Sequence, residues 1–329
     1  MKWSEQRAKT WYDETNWIIG VNYVPSTAVN TVEMWQSETY DRDTIKNELA
    51  LAAKSGFNSC RVFLQFLLWE KHRENFMENF TDFCGIAESC GISVMPCLFD
   101  DCAFSGLEPY LGAQNVPRYG VHNSGWVPSP GPSVADDPSK EKALSGYVKD
   151  VIGTFKDSKQ IIVWDLYNEP GNNMRGEKSL PLVEKAFIWA RSVNPAQPLT
   201  VGLWEFKDYE FRYAELSDII SYHDYAKIPE TIKRIEMLKK YNRPMLCTEW
   251  LHRPEGNTFE SHLPVYKRES IGVYNWGLVN GKTQTHLSWD TMQGHPDTDP
   301  DIWQHDIFYP DGTFYNEDEI KLMNRIKND

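Results

Sequence analysis

The sequence predicts an α/β protein, a (β/α)8 TIM barrel that forms a single catalytic domain over residues 1–329. Two observations support this prediction: eight short apolar runs recur along the chain, and amphipathic segments separate most of them. Apolar runs without alternation are typical of parallel strands covered by helices. A doubly wound open sheet is the alternative, but no G-x-G-x-x-G follows the first run. The count of eight favours the barrel, which typically takes about 250 residues.

The eight predicted strands are short, and none contains a charge run. In chain order they are "WIIGVNYV" (17–24), "NSCRVFLQF" (58–66), "ISVMPCLFD" (92–100), "IIVWDLYNE" (161–169), "PLTVGLWE" (198–205), "IISYHDY" (219–225), "PMLCTEW" (244–250) and "IGVYNWGLV" (271–279).

The predicted helices have apolar residues at helical spacing. The clearest, "DRDTIKNELALAAKSG", begins with capping residues and ends in Gly, as a helix should. The predicted helices cover residues 41–56, 75–91, 140–155, 179–193, 228–242 and 316–329.

Two long connections account for the length beyond a minimal barrel. Residues 101–139, after strand three, are rich in Gly, Pro and Ser, and residues 280–314, after strand eight, carry Trp289 and Trp303. Long loops in compact domains are usually functional or mobile. We therefore expect both loops to shape a binding site.

Composition excludes several classes of partner. The formal net charge of −13 argues against nucleic acid and against anionic membranes, since both need concentrated Lys and Arg. No apolar run approaches the roughly 20 residues that span a membrane. The N-terminal "MKWSEQRAKTWYDETNW" lacks the apolar stretch of a signal peptide, so the compartment stays open: periplasmic or secreted if a leader was removed, cytoplasmic otherwise. The oligomeric state is not predicted.

Cysteine and aromatic usage is less specific. The six Cys residues lack zinc-like spacing, and we predict structural thiols. Aromatic residues make up 13% of the chain, with 13 Trp, which suits either a ring-shaped ligand or a large core.

Each predicted strand ends near a polar or aromatic group. Catalytic residues of such barrels lie at the carboxyl ends of the strands, so this concentration predicts one site. In strand order the groups are Asn22, Arg61, Asp100, Asn168 with Glu169, Glu205, His223 with Tyr225, Glu249 and Trp276.

Two of these groups are carboxylates that directly end hydrophobic strands, Glu169 in "YNEP" and Glu249 in "CTEW". Hydrolysis of a glycosidic bond needs such a pair, one to protonate the leaving oxygen and one to attack or to activate water. Partial burial would raise the pKa of the acid and keep it protonated. The structural alternative for Glu169 is a helix-start carboxylate before a Pro at the first helical position.

On these residues the chain resembles the clan A glycoside hydrolases. It is most similar in pattern to glycoside hydrolase family 5, the cellulase, mannanase and xylanase superfamily. In that clan an Asn-Glu pair ending strand four carries the acid/base, which corresponds to Asn168 and Glu169. The nucleophile is a Glu that ends strand seven, which corresponds to Glu249.

Further family positions match, and one differs. Strand three of the family normally ends in a His, whereas "LFDDC" has Asp100 in the equivalent place. The family's Arg on strand two, His-x-Tyr on strand six and Trp on strand eight are matched by Arg61, by His223 with Tyr225, and by Trp276.

The resemblance implies a retaining hydrolase of β-type (equatorial) glycosidic bonds in a plant or microbial oligosaccharide or polysaccharide, with no cofactor and no metal. It implies that Asn168 hydrogen-bonds the sugar 2-OH and that His223 supports the acid/base. It also implies that Arg61 and Tyr225 orient the nucleophile and that Trp276 forms a platform beneath the sugar. The structural alternatives are that Arg61 only forms an ion pair and that Trp276 only packs in the barrel core.

The loops offer further candidates. Trp35, in "PSTAVNTVEMWQ", and Trp126, in "VHNSGW", could stack on sugar rings, or Trp126 could anchor its loop. Two long aromatic loops that wall off one end of the cleft would favour removal of terminal sugars. The same loops contribute Glu33, His122 and Asn123.

Two other functions remain open from the sequence. A metal-dependent barrel hydrolase or isomerase could use Asp100, Asp101, Glu205 and His223, although its commonest hydrolase form needs a His-x-His that "GVNYVPS" lacks. A non-catalytic carbohydrate-binding barrel is the other, and the presence of both carboxylates argues against it.

Overall fold

The computed structural model describes residues 1–297 and 299–328. Eight parallel strands form its centre, each inside a run that the sequence predicts. They are β1 (Ile19–Asn22), β2 (Ser59–Phe63), β3 (Ser93–Asp100), β4 (Trp164–Asn168), β5 (Leu199–Thr200), β6 (Ile220–His223), β7 (Met245–Trp250) and β8 (Gly272–Trp276).

The strands pair in the order β5-β4-β3-β2-β1-β8-β7-β6. Leu203 closes the remaining gap between β5 and β6: its N–H donates to Ser221 O at 3.1 Å and its carbonyl accepts from His223 N at 2.8 Å. The sheet is therefore a barrel, and the predicted (β/α)8 fold is confirmed.

Helices surround the barrel on the outside. Within the described residues they are α1 (Glu5–Asp13), α2 (Thr31–Trp35), α3 (Arg42–Ser55), α4 (Phe66–Ser89), α5 (Pro132–Ala135), α6 (Glu141–Phe155), α7 (Leu180–Ser192), α8 (Phe211–Leu216), α9 (Ile228–Leu238), α10 (Phe259–Arg268) and α11 (Glu317–Asn328). None of them has the length and apolar character needed to cross a membrane.

Capping residues and proline explain why some helices can be predicted from the sequence and others cannot. The Asp41 side chain caps α3 by accepting from Thr44 N at 3.1 Å, and Gly56 ends it at φ 107°. By contrast, α10 has Pro264 in its interior, and its capping box uses Ser261 where the usual signature has Glu or Gln. The sequence pattern therefore hid α10.

The amino-terminal end of the barrel is filled by apolar and aromatic side chains, among them the ring of Tyr274. A Cβ atom at Gly20 would lie 2.3 Å from the ring of Tyr274, so glycine there makes room for the ring inside the barrel. The Tyr274 hydroxyl lies 2.9 Å from Ser59 Oγ. Ile18, Met95, Val163 and Leu246 pack in the same buried cluster. With this end closed, the opposite end is left for a ligand.

Candidate active site

A cavity of about 400 Å³ lies at the carboxyl ends of the strands. Its volume is at the lower end of the range for small-molecule sites, and its position matches that of active sites in this fold. The predicted residues on its wall include Asn168, Glu169, His223, Tyr225, Glu249 and Trp276.

Glu249 is held from both sides by hydrogen-bond donors. Arg61 Nη1 donates to Oε1 at 2.9 Å, and the Tyr225 hydroxyl donates to Oε2 at 2.9 Å. The pairing register between β7 and β8 shifts between Cys247 and Trp250, and such irregularities re-aim side chains next to active sites. The Glu249 carboxylate therefore has one fixed orientation.

Arg61 lies wholly inside the barrel. Its Nε and Nη2 atoms donate to Asp165 Oδ2 at 2.9 and 2.7 Å, and Nη1 and Nη2 donate to Asn22 Oδ1 and Asn168 Oδ1 at 2.7 Å each. Burial lowers the pKa of Arg61, but the charges of Asp165 and Glu249 raise it more, so the guanidinium keeps its charge. Arg61 does not line the cavity, so it contacts Glu249 without being placed to bind a substrate there.

Asp165 was missed by the sequence analysis. A single acidic residue inside the apolar run 161–167 was the available signal, because a buried charge needs a partner. Its side chain is fully buried against Arg61.

Glu169 occupies a strained turn at the end of β4. Its φ angle of 41° lies in the left-handed region, which is costly for a residue with a Cβ atom and is often found at functional sites. Gly171 follows at φ 98°, where a Cβ would lie 2.8 Å from the Tyr209 hydroxyl. The next helical turn begins only at Gly176, so Glu169 does not start a helix.

Three side chains contact the Glu169 carboxylate. His223 Nδ1 lies 2.8 Å from Oε1, and Cys102 Sγ lies 3.2 Å from Oε2. Asn172 Nδ2 also donates to Oε2. His223 thus contacts Glu169, and its supporting role stays a prediction. Nothing in the sequence singles out Asn172, and Cys102 is predicted only as a structural thiol.

The contact with His223 decides where the proton lies. Burial raises the pKa of Glu169, but the hydrogen bond and charge of His223 lower it more, so it falls below its ordinary value. Burial lowers the pKa of His223, but the charge of Glu249 and the contact with Glu169 raise it above its ordinary value. The prediction that burial raises the pKa of Glu169 is therefore wrong as a net effect: between the two pKa values the proton lies on His223.

Burial also acts on the second carboxylate. It raises the pKa of Glu249, as does the charge of Glu169, while His223 and Arg61 lower it in part. The guanidinium at 2.9 Å still favours the ionised form that a nucleophile needs.

The two carboxylates lie close together. One oxygen of Glu169, one oxygen of Glu249 and one ring nitrogen of His223 all lie within 4.8 Å of one another. Retaining glycosidases place their carboxyl groups about 5–5.5 Å apart, and inverting ones about 6.5–9.5 Å apart. The short separation fits direct attack by one carboxylate.

The same three side chains have metal-ligand spacing, but their surroundings disfavour a divalent cation. Arg61 already donates to Glu249, and a fixed guanidinium repels a divalent cation. Asp101, a candidate ligand in the metal-dependent alternative, pairs with Arg175 at 3.1 Å and accepts from Gly171 N at 2.8 Å. These contacts leave Asp101 away from the cavity.

Asp100 is a corrected prediction. It does not line the cavity, because its carboxylate accepts from Asn168 Nδ2 at 2.9 Å, from Trp126 Nε1 at 2.7 Å and from Cys102 N at 2.9 Å. Burial raises its pKa to about 7. It orients Asn168 and Trp126 rather than binding substrate.

Asn22 and Trp35 are also corrected. Asn22 is fully buried and donates to Thr248 O at 2.8 Å, so it supports the strands and Arg61. Trp35 is 1% exposed, donates to Phe63 O at 2.7 Å, and packs among rings of α4, so it cannot stack on a sugar.

The remaining aromatic candidates do border the cavity. Trp276 stacks on Phe63 with ring centroids 5.7 Å apart, and its edge meets Trp126 at the same distance. Trp204 and Trp289 complete the aromatic lining. Trp204 lies in a predicted strand and Trp289 in a predicted long loop, but no sequence pattern assigns either of them a specific role.

The six cysteines are all free thiols, as predicted.

Comparison with known proteins supports the fold. No protein-family model matches the sequence, and no curated protein matches it. Solved structures do match: an exo-β-1,4-mannosidase from Opitutaceae bacterium strain TAV5 superposes with a TM-score of 0.65 at 16% identity. That match covers 95% of this chain and 60% of the mannosidase, so this chain spans under two thirds of its length.

Two further structures superpose over 95% of this chain. A GH5_18 protein from Bifidobacterium longum subsp. longum gives a TM-score of 0.64 at 14% identity and is covered over 79% of its length. A GH5_18 protein from Streptomyces cattleya, in complex with GlcNAc, gives 0.61 at 13% identity and is covered over 80%. The resemblance to glycoside hydrolase family 5 that the sequence predicts is thus confirmed in the fold.

Proposed function

We propose that the chain is a retaining glycoside hydrolase of β-linked (equatorial) glycosides, with Glu249 as nucleophile and Glu169 as acid/base. One observation carries the proposal: two carboxylates within 4.8 Å of each other have different partners, Arg61 and Tyr225 on one, His223 on the other. We also propose that residues 1–329 act as one barrel domain.

The first half-reaction forms a bond between the Glu249 carboxylate and the anomeric carbon. The bond to the leaving oxygen breaks, and that oxygen takes a proton from Glu169. His223 holds this proton beforehand, and its 2.8 Å contact with Glu169 gives a direct path for transfer. Arg61 and Tyr225 keep Glu249 ionised and aimed.

In the second half-reaction water attacks the same carbon and Glu249 leaves as a carboxylate. Glu169 takes the proton from that water and the pair with His223 is restored. Two inversions at one carbon give net retention.

Asn168 and Trp276 would bind the sugar of the cleaved bond. Asn168 accepts from Arg61 and gives one amide proton to Asp100. Its second amide proton faces Cys102 Sγ at 3.5 Å, a weak acceptor that the sugar 2-OH can replace. Trp276 offers an apolar platform, and aromatic faces suit the apolar faces of sugar rings.

The named relatives support β-mannosides as substrates. They include an exo-β-1,4-mannosidase, a GH5_18 protein in complex with Manβ1-4GlcNAc, and a β-1,4-mannanase from Aplysia kurodai. We expect aryl β-D-mannosides to be hydrolysed faster than aryl β-D-glucosides, which a side-by-side assay measures.

Azide rescue tests the proposal. Glu249→Gly with azide should yield the glycosyl azide of opposite anomeric configuration, because azide then attacks in place of the missing nucleophile. A Glu169→Gly enzyme should yield the retained azide, because azide replaces water in the second half-reaction. Glu177→Gln changes an exposed carboxylate on the same segment and should give no azide product.

Two results would contradict the assignment. Azide products of the opposite pattern would mean that the two carboxylate roles are exchanged. Sugar binding without turnover across aryl β-glycosides would favour the non-catalytic barrel.

A further inference from the structure

The two long loops meet across one side of the cavity. We call residues 101–139 the β3 loop and residues 280–314 the β8 loop. His122 of the β3 loop donates from its backbone N to Thr291 Oγ1 at 2.9 Å, and its Nδ1 lies 2.7 Å from Leu287 O. His122 is buried and lines the cavity, so this bridge forms part of the cavity wall.

Gln284 adds a second bridge between the same loops. Its Oε1 accepts from Gly120 N at 2.9 Å, and its Nε2 donates to Arg118 O at 2.8 Å and to Val121 O at 3.2 Å. One side chain of the β8 loop thus holds three backbone groups of the β3 loop.

The connection after β1 extends this wall. Asn30 Nδ2 donates to Gly125 O at 3.0 Å, and Lys282 forms a 2.6 Å ion pair with Glu33. Since β8, β1, β2 and β3 are neighbours in the sheet, the wall is continuous over that side of the barrel mouth.

The inner face of the wall carries no charge at neutral pH. Burial lowers the pKa of His122 to about 4, and burial with the nearby His122 lowers the pKa of His305 well below its ordinary value. The rings of Trp289 and His305 pack against each other at 5.7 Å. Among the described residues of the two loops that line the cavity there is no Lys or Arg, so the wall offers no cation to a uronate carboxylate.

The opposite side of the cavity is open. Glu169, which protonates the leaving oxygen, lies there on β4, together with Asn172 and Trp204. Glu205 also lines this side and is exposed to solvent. The leaving group therefore exits toward β4 and β5, and the sugar that becomes attached to Glu249 faces the wall.

We infer that the enzyme removes one neutral sugar at a time from the non-reducing end of a β-linked chain. The bridged wall stands on the side where a further sugar beyond the one in front of Trp276 would bind, while the side at β4 and β5 accepts the rest of the chain. This inference rests on the proposed hydrolase activity.

Aryl glycosides of one and two sugars distinguish this from cleavage inside a chain. The substrates are the 4-nitrophenyl β-monoside and the 4-nitrophenyl β-1,4-bioside of mannose and of glucose. From the bioside we expect free monosaccharide first, and nitrophenol only after a lag. The initial rate of monosaccharide release should exceed that of nitrophenol by about tenfold or more.

The products distinguish a failure of the inference from a failure of the proposed function. Early release of disaccharide with nitrophenol from the bioside would overturn the inference and leave the proposed function standing. No hydrolysis of any of these substrates would overturn the proposed function and the inference with it.

A loop variant gives a second test with the same substrates. Gln284→Ala removes the three-contact bridge without touching the cavity lining, so the bioside should yield measurable disaccharide and a shorter lag. Gln293→Ala is the matched control, since Gln293 is an exposed residue of the same loop, and its product pattern should equal that of the wild type. Equal patterns for both variants and the wild type would contradict the role of the bridge.

Discussion

Glu169 Oε1 lies 2.8 Å from His223 Nδ1, where β4 and β6 end at the cavity. Both side chains are almost completely withdrawn from water, at 13% and 3% exposure. The contact raises the pKa of the imidazole and lowers the pKa of the carboxyl group. A proton at this contact therefore belongs to a pair, and its titration reports on the pair.

The pH dependence of stability should reveal this pair. Because the pKa of folded His223 lies above its ordinary value near 6.5, its stabilisation is complete below that pH and is lost as pH rises through the folded pKa. Because the pKa of folded Glu169 is lowered, its stabilisation is present above its ordinary value near 4.5 and is lost as pH falls through the folded pKa. The pair is intact between the two folded pKa values.

We expect His223→Gln to lower the free energy of unfolding by about 1.5–3 kcal/mol near pH 6, as for a hydrogen bond between charged groups. Urea unfolding from pH 4 to 9 measures the difference, which should shrink toward both ends of that range. His295→Gln, at an exposed position, is the control and should show a small, flat difference. A flat difference for His223→Gln would contradict the paired state.

Leaving-group dependence separates the two carboxylates. Glu169→Gln should lower kcat/KM, which reports the first half-reaction, by about 10²–10⁴-fold for a β-linked disaccharide, because its leaving oxygen needs a proton. The loss should be much smaller for a 2,4-dinitrophenyl glycoside, whose leaving group departs without one. Glu249→Gln should abolish turnover of both, since no covalent bond can form. Equal losses on both substrates for Glu169→Gln would show that this residue is not the acid.

The fold was predictable because its main signals are local. Strands covered by helices are apolar along their whole length, and eight such runs are countable in the sequence. Helix α10 was missed because Pro264 and a Ser261 capping box replaced the usual signatures. Helix boundaries depend on such details and are the part that sequence patterns describe least well.

The candidate site could be predicted from the sequence only to the extent that the end of each strand determines where its side chains lie. Parallel strands of a barrel bring their carboxyl ends together, so Glu169 and Glu249 had to be neighbours. Whether a side chain faces the cavity or the protein depends on partners distant in sequence. Asp100 faces inward because Trp126, held in a long loop, donates to it. Trp35 is removed from the site because α4 offers it a pocket of aromatic rings.

The buried ion pair between Arg61 and Asp165 should be costly to break. Asp165→Asn leaves a guanidinium inside the barrel with one carboxylate in place of two, and breaking a buried pair costs about 3–5 kcal/mol. Turnover should fall as well, because Arg61 orients Glu249. Glu236→Gln is the control: its 2.6 Å pair with Lys239 is exposed and should contribute about 0–1 kcal/mol.

Chemical denaturation measures the loss of stability. Turnover, normalised to the amount of folded protein, measures the loss of activity separately. Loss of stability with unchanged turnover would show that Asp165 acts on the fold alone. Unchanged stability would contradict the inference that Arg61 depends on Asp165 for its charge balance.

Cys102 should tune the acid/base. Its Sγ lies 3.2 Å from Glu169 Oε2, and Asn172 Nδ2 contacts the same oxygen. The thiol is a weak donor, and burial raises its pKa well above the ordinary value, so it stays protonated and able to donate. Cys102→Ala should lower kcat by about five- to tenfold, the effect of about 1 kcal/mol from one neutral hydrogen bond.

Removing this donor should also raise the pKa of Glu169, since a hydrogen bond to the charged form lowers it. The basic limb of the pH–rate profile, along which the proton of the acid is lost, should therefore move to higher pH in Cys102→Ala and stay near the wild type in Cys102→Ser, whose hydroxyl still donates. Cys90→Ala changes a half-buried thiol at the end of α4 and should leave both kcat and the profile unchanged. If Cys102→Ala shows the wild-type profile, Asn172 and His223 alone set the ionisation of Glu169.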